Sequence, residues 1–104
     1  MSNGWRRGTT PVNTFYVNVD LREATIFVSY AQRGRIVVEK TGSDLDVTED
    51  SIEIRLTQQD TLAFKPGEVR IQIRYVLQDG TADASNIIET TSEEILKDGE
   101  IVYS

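Results

Sequence analysis

The strongest structural constraint in this sequence is a two-residue alternation of apolar and polar side chains between residues 68 and 77. The apolar positions are Val69, Ile71, Ile73, Tyr75 and Leu77, and polar positions between them are Glu68, Arg70, Gln72 and Arg74. Successive side chains of a β-strand point to opposite faces of its sheet. The alternation therefore predicts a strand with one face in a hydrophobic core and a charged face towards solvent.

Further strand-like segments lie on both sides of this one, at residues 15–19, 24–30, 35–40, 51–57 and 81–91. The segment 51–57 repeats the alternation of apolar and charged residues. The segments 24–30 and 35–40 are rich in β-branched residues, which predicts the more central strands. In the segment 81–91, Ile87 and Ile88 are the expected apolar anchors of a last long strand.

Turn-forming residues separate these segments. Arg33-Gly34 and Asp79-Gly80 each stand between two strand-like segments, and the dipeptide Asp-Gly is a strong hairpin signal. Residues 57–60 have the spacing of a capping box, so one short helical turn is predicted over residues 58–63. Near the end of the sequence, residues 101–103 are expected to add a short edge strand.

Six or seven strands with turns at intervals of about ten residues predict an all-β fold, either a two-sheet sandwich or a small barrel. The order of elements in residues 51–91 is typical of the second half of an immunoglobulin-type sandwich. We therefore predict a single antiparallel, immunoglobulin-like sandwich of about seven strands, without a disulfide because the chain has no cysteine. The 104 residues suffice for one domain, predicted over residues 10–104 and preceded by an N-terminal arm over residues 1–9.

Two missing residue types argue against an enzyme. The chain has no histidine and no cysteine, so it lacks both the commonest general base and a thiol nucleophile. Serine and threonine hydroxyls would need another activating base, and no glycine-rich phosphate-binding motif is present. We predict no catalytic residues and no cofactor, with an enzyme that uses two catalytic carboxylates as the remaining enzymatic alternative.

One acidic segment is the first place to look for a hard cation such as calcium, and it contains Asp44, Asp46, Glu49 and Asp50. Its spacing does not match an EF-hand loop, because no glycine lies at its centre and no glutamate closes it. Charged segments mostly face solvent. We therefore interpret the segment as a solvated loop and predict no metal site.

The formal net charge is −6, which argues against binding to the phosphates of nucleic acids. Residues 1–35 contain five basic and two acidic residues, whereas the remainder contains six basic and fifteen acidic residues. This asymmetry indicates either a solvated acidic surface or a basic end that meets the acidic end of a neighbouring copy or partner. The longest apolar runs are too short to span a membrane, and no signal-peptide pattern opens the chain.

The N-terminal residues Trp5, Arg6 and Arg7 form a possible interface. Tryptophan and arginine are the residue types most enriched among the residues that dominate binding at protein interfaces. The alternative is that this segment packs on its own domain or is loose, as chain termini often are. Both interpretations remain open from the sequence.

Several segments, taken in order, resemble a family of small hypothetical proteins of tailed phages and prophages, about a hundred residues long. The segments are Trp5-Arg6-Arg7-Gly8-Thr9-Thr10-Pro11, Leu56-Thr57-Gln58-Gln59-Asp60-Thr61-Leu62, Phe64-Lys65-Pro66-Gly67, Ile71-Gln72-Ile73-Arg74, Asp79-Gly80, Ala84-Ser85-Asn86-Ile87-Ile88 and Ile95-Leu96-Lys97-Asp98-Gly99. The resemblance covers nearly the whole chain. A looser similarity extends to the N-terminal β-domain of phage baseplate upper proteins.

This resemblance implies a non-enzymatic structural or interaction module of a phage or prophage particle, associated with its tail or baseplate. Its expected partners are other phage structural proteins or further copies of itself, without nucleic acid or membrane. Its expected location is the virion, or the host cytoplasm during assembly. The resemblance assigns no functional residues, because the shared motifs mark turns and strands of the fold.

A ligand-binding sandwich domain, for example one that binds a host-surface glycan, is the alternative. Sugar sites usually combine an aromatic side chain with hydrogen-bonding carboxylates or amides. The available features are Tyr16, which is expected to be exposed, and the acidic loop over residues 44–50.

Overall fold

In the computed structural model, which describes residues 4–103, nine β-strands and one short α-helix form the fold. The strands are β1 (Trp5–Arg6), β2 (Val12–Tyr16), β3 (Thr25–Gln32), β4 (Arg35–Thr41), β5 (Leu45–Val47), β6 (Ser51–Arg55), β7 (Gly67–Val76), β8 (Ala82–Ala84) and β9 (Ile88–Glu93). The helix α1 (Gln58–Leu62) lies between β6 and β7, and a single 3₁₀ turn (Gly42–Asp44) lies between β4 and β5.

The strands form two sheets. The large sheet has the order β1-β9-β7-β3-β4, with β8 also pairing with β7, and the small sheet has the order β2-β6-β5. All pairs are antiparallel except β1 with β9. The segregation of β9-β7-β3-β4 from β2-β6-β5 is the arrangement of an immunoglobulin-like sandwich. The predicted antiparallel, immunoglobulin-like sandwich is thus confirmed, and the short strands β1, β5 and β8 raise the number of strands above seven.

The core lies between the two sheets and follows the predicted alternation. In β7, Val69, Ile71 and Ile73 are buried, and in β6 the buried residues are Ile52 and Ile54. Buried side chains of β3, which lies beside β7 in the large sheet, belong to the same cluster as those of β7 and β6. One continuous core therefore joins both sheets.

The predicted turns have the backbone conformations that tight hairpins need. Arg33 and Gly34 both have positive φ angles, of 53° and 78°, which is the two-residue hairpin turn that matches the twist of paired strands. Gly80, with a φ of 89°, allows the chain to reverse between β7 and β8. The predicted helical turn is also confirmed, because Thr57 and Asp60 form both hydrogen bonds of a capping box at the start of α1.

Two strand predictions differ from the structure. The segment 35–40 was expected to be central, but β4 lies at the edge of the large sheet, because β-branched residues favour strands in general and do not determine which strands become neighbours. The last long strand is divided into β8 and β9. The Ser85 amide still donates to the Ile73 carbonyl at 2.8 Å, but the Ile73 amide donates to the Ser85 hydroxyl oxygen at 3.0 Å, so a side chain takes over one ladder bond at the break.

The buried side chains of β9 are polar rather than the expected isoleucines. Ile87 and Ile88 are 46% and 36% exposed, whereas Thr90 and Ser92 are buried. Thr90 pairs with Val69 on the inner face of the sheet, so the register of β9 turns these small polar residues into the core. The expected anchoring role of the two isoleucines is therefore not found.

The termini also differ from the predictions. Residues 101–103 form no strand, because the side-chain amide of Gln58 binds both backbone groups of Ile101, at 2.8 and 2.9 Å. Residues 5–6, predicted to belong to a separate arm, instead form β1 and pair with Ser92 and Glu93. The arm prediction for residues 1–3 lies outside the described residues.

Candidate functional site

The structure does not bring the three predicted interface residues together on one surface. Trp5 is 4% exposed. Its ring packs edge-on against those of Phe64 and Tyr30, with centroid distances of 5.4 and 5.9 Å. Trp5 is therefore a core residue, because burial of so large an aromatic ring against two others stabilises the fold.

Arg7 also acts within the domain. Its guanidinium donates hydrogen bonds to the carbonyl oxygens of Phe64 and Leu62, at 2.7 and 3.0 Å, and lies 3.4 Å from the carboxylate of Asp98. The carbonyls at the end of a helix lack partners within it, and a cation there is favourable. Arg7 thus caps the end of α1 rather than presenting a charge for a partner.

Arg6 alone among the three is exposed. Its side chain retains 63% of its accessible surface, donates to the carbonyl oxygen of Glu94 and lies 3.8 Å from the carboxylate of Glu93. An exposed ion pair of this kind contributes little to stability. Arg6 is available to a partner, but Trp5 lies in the core and adds no exposed apolar surface beside it.

The carboxylates of the acidic segment form local hydrogen bonds. Asp44 accepts a hydrogen bond from the Thr41 amide, and Asp50 accepts one from the Thr48 hydroxyl. Within residues 4–103, no group of three or more acidic side chains is arranged to hold a metal ion. The carboxylates of Asp44 and Asp50 thus stabilise turns.

A groove of about 630 Å³ crosses the face of the large sheet that points away from the small sheet. We call it the outer-face groove and define it by the residues that carry its shape and charge: Phe27, Ser29, Ala31, Ile36, Glu39, Arg70, Gln72, Arg74, Val76 and Ile87. The groove arises because the small side chains of Ser29 and Ala31 lie on the central strand β3, with longer side chains on the neighbouring strands β4 and β7.

Apolar side chains line the groove and are open to solvent. Phe27, Ile36, Val76 and Ile87 are 41%, 61%, 44% and 46% exposed. They come from three strands and from the break before β9, so the sheet brings together residues that are far apart in the sequence. Several exposed apolar side chains around one depression are typical of an interaction site.

Charged side chains occur in the same groove. Arg70 and Arg74 lie on β7, and Glu39 lies on β4 with its carboxylate 3.3 Å from the Ser29 hydroxyl. Among the described residues, neither arginine has a carboxylate within 4.0 Å. The groove therefore combines apolar surface with cations that have no ion-pair partner within the described chain.

A second cavity of about 420 Å³ opens between the sheets, where β2 approaches β9. Its lining includes Trp5, Asn13, Phe15 and Thr90. The indole nitrogen of Trp5 and the hydroxyl of Thr90 have no hydrogen-bond partner among the described residues. Unpartnered buried polar groups lower stability, so this cavity marks a weak point in the packing.

No protein-family model matches the chain, and no curated protein matches it. Among solved structures, the chain is similar to the V domain of amphioxus IgVJ-C2. The identity is 13%, the match covers 86% of this chain and 98% of that chain, and the TM-score is 0.35. This likeness adds nothing to the strand topology described above. Within residues 4–103, no helix has the length and apolar character needed to cross a membrane.

Proposed function

We propose that this protein is a non-enzymatic protein-interaction module and that the outer-face groove is its binding surface. The observation that carries the proposal is the exposure of Phe27, Ile36, Val76 and Ile87 around one depression. Apolar contacts supply binding energy, and the two arginines supply specificity for a partner that offers carboxylates.

The absence of catalytic chemistry supports the non-enzymatic part of the proposal. The groove contains no histidine or cysteine, because the chain has neither. Its ionisable groups are Glu39, Arg70, Arg74 and Tyr75, a set that offers a single carboxylate where a two-carboxylate mechanism needs two.

We further propose that the partner belongs to a phage or prophage particle, at its tail or baseplate, or is a copy of the chain itself. The support is the sequence resemblance, which extends from Trp5 to Gly99. Structural proteins of such particles act by docking on one another, which is the role that an apolar groove on a rigid sheet would serve.

Site-specific photocrosslinking tests the binding surface. A photoreactive phenylalanine analogue at Ile36, which is 61% exposed in the groove, is compared with the same analogue at Ile101, which is 59% exposed on the tail. The chain is produced together with the structural proteins of its own gene cluster, and adducts are identified by mass spectrometry. We expect adducts from position 36 and few from position 101. Adducts at neither position, or equally at both, would contradict the proposal.

A glycan-binding role is the second candidate, and one observation favours it. Tyr16 is 82% exposed and lies opposite Ser51 in the small sheet. The hydroxyls of Ser51 and Thr48 lie 2.7 Å apart beside it, so an aromatic ring adjoins hydrogen-bonding groups. A glycan array would show binding that is lost in Tyr16→Ala, and a blank array would remove this candidate.

A further inference from the structure

We infer that the occupant of the outer-face groove is a second copy of the chain, packed face to face about a twofold axis that runs parallel to β3. The inference rests on the proposed function, because it uses the same groove and names its partner. A twofold interface must be complementary to itself, since the same surface lies on both sides. The charges and strand order of the outer face meet that requirement.

The strand order determines which residues would face each other. In the large sheet, β3 lies between β7 and β4. A rotation of 180° about an axis parallel to β3 reverses left and right, so β7 of one copy lies over β4 of the other. An axis perpendicular to the strands would instead lay β7 over β7 and bring four arginines together, which like-charge repulsion disfavours.

The register places the acidic group of one copy between the basic groups of the other. Gln72 and Glu39 both lie opposite Ser29, and so share one row across the sheet. Arg70 and Arg74 each lie two residues from Gln72 along β7, which is about 7 Å in a strand. When β7 covers β4, Glu39 faces Gln72 of the second copy, and both arginines reach towards its carboxylate. The symmetry produces this cluster twice.

Within residues 4–103, Glu39, Arg70 and Arg74 form no ion pair. Glu39 accepts a hydrogen bond from the Ser29 hydroxyl and has no cation within 4.0 Å among residues 4–103. Glu89 lies opposite Arg70 on the side away from β4, without forming an ion pair in the described chain. Arg74 lies opposite Ala84 and Phe27, so its cross-strand neighbours carry no charge.

Apolar residues would close the interface around these clusters. Ala31 and Phe27 lie on β3, close to the axis, and Ile36 and Val76 lie on the flanking strands. The three strands of each copy that face each other, about seven residues long, cover roughly 14 by 23 Å. This area is below that of stable complexes and typical of weak, transient ones. We therefore expect a weak, reversible dimer with a dissociation constant in the high micromolar range.

Sedimentation equilibrium with charge-reversed variants tests this arrangement. One variant carries Glu39→Arg, and a second carries Arg70→Glu and Arg74→Glu; all three side chains are exposed. We expect the wild type to dimerise with increasing concentration and each variant alone to dimerise at least tenfold more weakly. An equimolar mixture of the two variants should recover dimerisation, because opposite charges face each other again. Arg55→Glu, on the exposed side of the small sheet, is the matched control and should dimerise as the wild type does.

The outcomes separate the inference from the proposed function. A wild type that stays monomeric at every concentration overturns the inference, and the crosslink from position 36 then decides whether another protein fills the groove. Dimers that persist in both variants, or a mixture that fails to recover dimerisation, overturn the Glu39–arginine arrangement. Circular dichroism of each variant verifies that the sandwich is folded.

Discussion

Three aromatic rings, from Trp5, Tyr30 and Phe64, pack edge to face at one end of the core. The hydroxyl of Tyr30 donates to the side-chain oxygen of Asn13 at 2.7 Å. Burial and the negative charge of Asp60 raise the pKa of Tyr30 well above its ordinary value of 10.0, so this hydroxyl stays protonated. The cluster joins β1, β2, β3 and the segment after α1, and it therefore links both sheets.

Replacement of Trp5 tests whether the N-terminal segment belongs to the core. We expect Trp5→Ala to lower the free energy of unfolding by about 3–5 kcal/mol, because it removes a large buried ring and leaves a cavity. Urea denaturation measures the effect. Arg6→Ala, at the exposed neighbouring position, is the control and should change stability by less than about 0.5 kcal/mol. Equal, small effects at both positions would mean that the segment does not hold the fold together.

The replacement of threonine by valine is expected to change stability in opposite directions at Thr90 and at Thr61. Both are buried, but the hydroxyl of Thr90 has no partner, whereas that of Thr61 donates to the Thr9 carbonyl at 2.8 Å. We expect Thr90→Val to raise the free energy of unfolding by about 1 kcal/mol and Thr61→Val to lower it by about 1–2 kcal/mol. Thermal and urea denaturation would measure both. A loss of stability in Thr90→Val would indicate an ordered water bound to that hydroxyl.

At the scale of elements, α1 connects the small sheet to the large one. Asp60 accepts a hydrogen bond from the Thr57 amide at 2.8 Å and pairs with the ammonium of Lys40 on β4 at 2.7 Å. Burial by itself raises the pKa of Asp60, but the hydrogen bonds from Lys40 and Thr57 outweigh it and hold the pKa below its ordinary value of 3.8. The ionised carboxylate is thus the form that the folded chain stabilises.

The lowered pKa of Asp60 sets the direction of a pH dependence. The ionised Asp60 carboxylate contributes fully to the free energy of unfolding above the pKa that it has in the unfolded chain, near 4. This contribution is lost as the pH falls through the lower pKa of the folded chain. We expect Asp60→Asn to lower the free energy of unfolding by about 2 kcal/mol at pH 7, and the difference from the wild type to narrow as the pH falls below about 4. Urea denaturation across this range measures it. Asp46→Asn, at an exposed position, is the control, and a difference that does not change with pH would contradict the assignment.

The side-chain amide of Gln58 binds the backbone of Ile101, so its replacement tests how the C-terminal tail is held. Gln58→Ala removes both hydrogen bonds to Ile101. We therefore expect the Ile101 amide to exchange with deuterium at least tenfold faster, with little change in global stability. Amide exchange followed by NMR measures the rate, and Gln59→Ala, at an exposed neighbouring position, is the control. Unchanged exchange would mean that the tail is held by something other than Gln58.

The sequence predicted those elements whose cause is local. The alternation in 68–77, the positive-φ turn at Arg33-Gly34 and the capping box at residues 57–60 all act within a few residues. The break in the last strand was not predictable, because it depends on a hydroxyl that meets the Ile73 amide across the sheet. The edge position of β4 likewise depends on which strands become its neighbours.

At the scale of the whole molecule, the outer-face groove could not be predicted, because its residues meet only through strand order. Glu39 and Arg70 lie on strands that are both paired with β3, and nothing local in the sequence relates them. The uneven charge is visible in the sequence, but it indicates either a solvated acidic surface or a basic end that meets an acidic end, and neither interpretation places charges in this groove. A usable signal was the alternation of Phe27, Ser29 and Ala31 with buried residues, which indicates an exposed face with small side chains at its centre.

The two locations for an interface predict different effects of charge reversal. Arg6→Glu alters the exposed part of the predicted N-terminal interface, whereas Glu39→Arg alters the groove. We expect sedimentation of Arg6→Glu to match that of the wild type, because Trp5 and Arg7 are engaged within the domain. If the Arg6→Glu variant associated more weakly than the Glu39→Arg variant, the interface would lie at the N-terminal segment instead of the groove.

The pairing of β1 with β9 has a consequence for biosynthesis. Trp5 lies on β1, and its ladder partner is Ser92 on β9. During translation, β1 and its Trp5 cannot pair until β9 emerges from the ribosome, after nearly all of the sandwich. Contacts between residues so distant in sequence slow folding. The pairing of β1 is therefore expected to form only after β9 has left the ribosome, with the first strand unpaired until then.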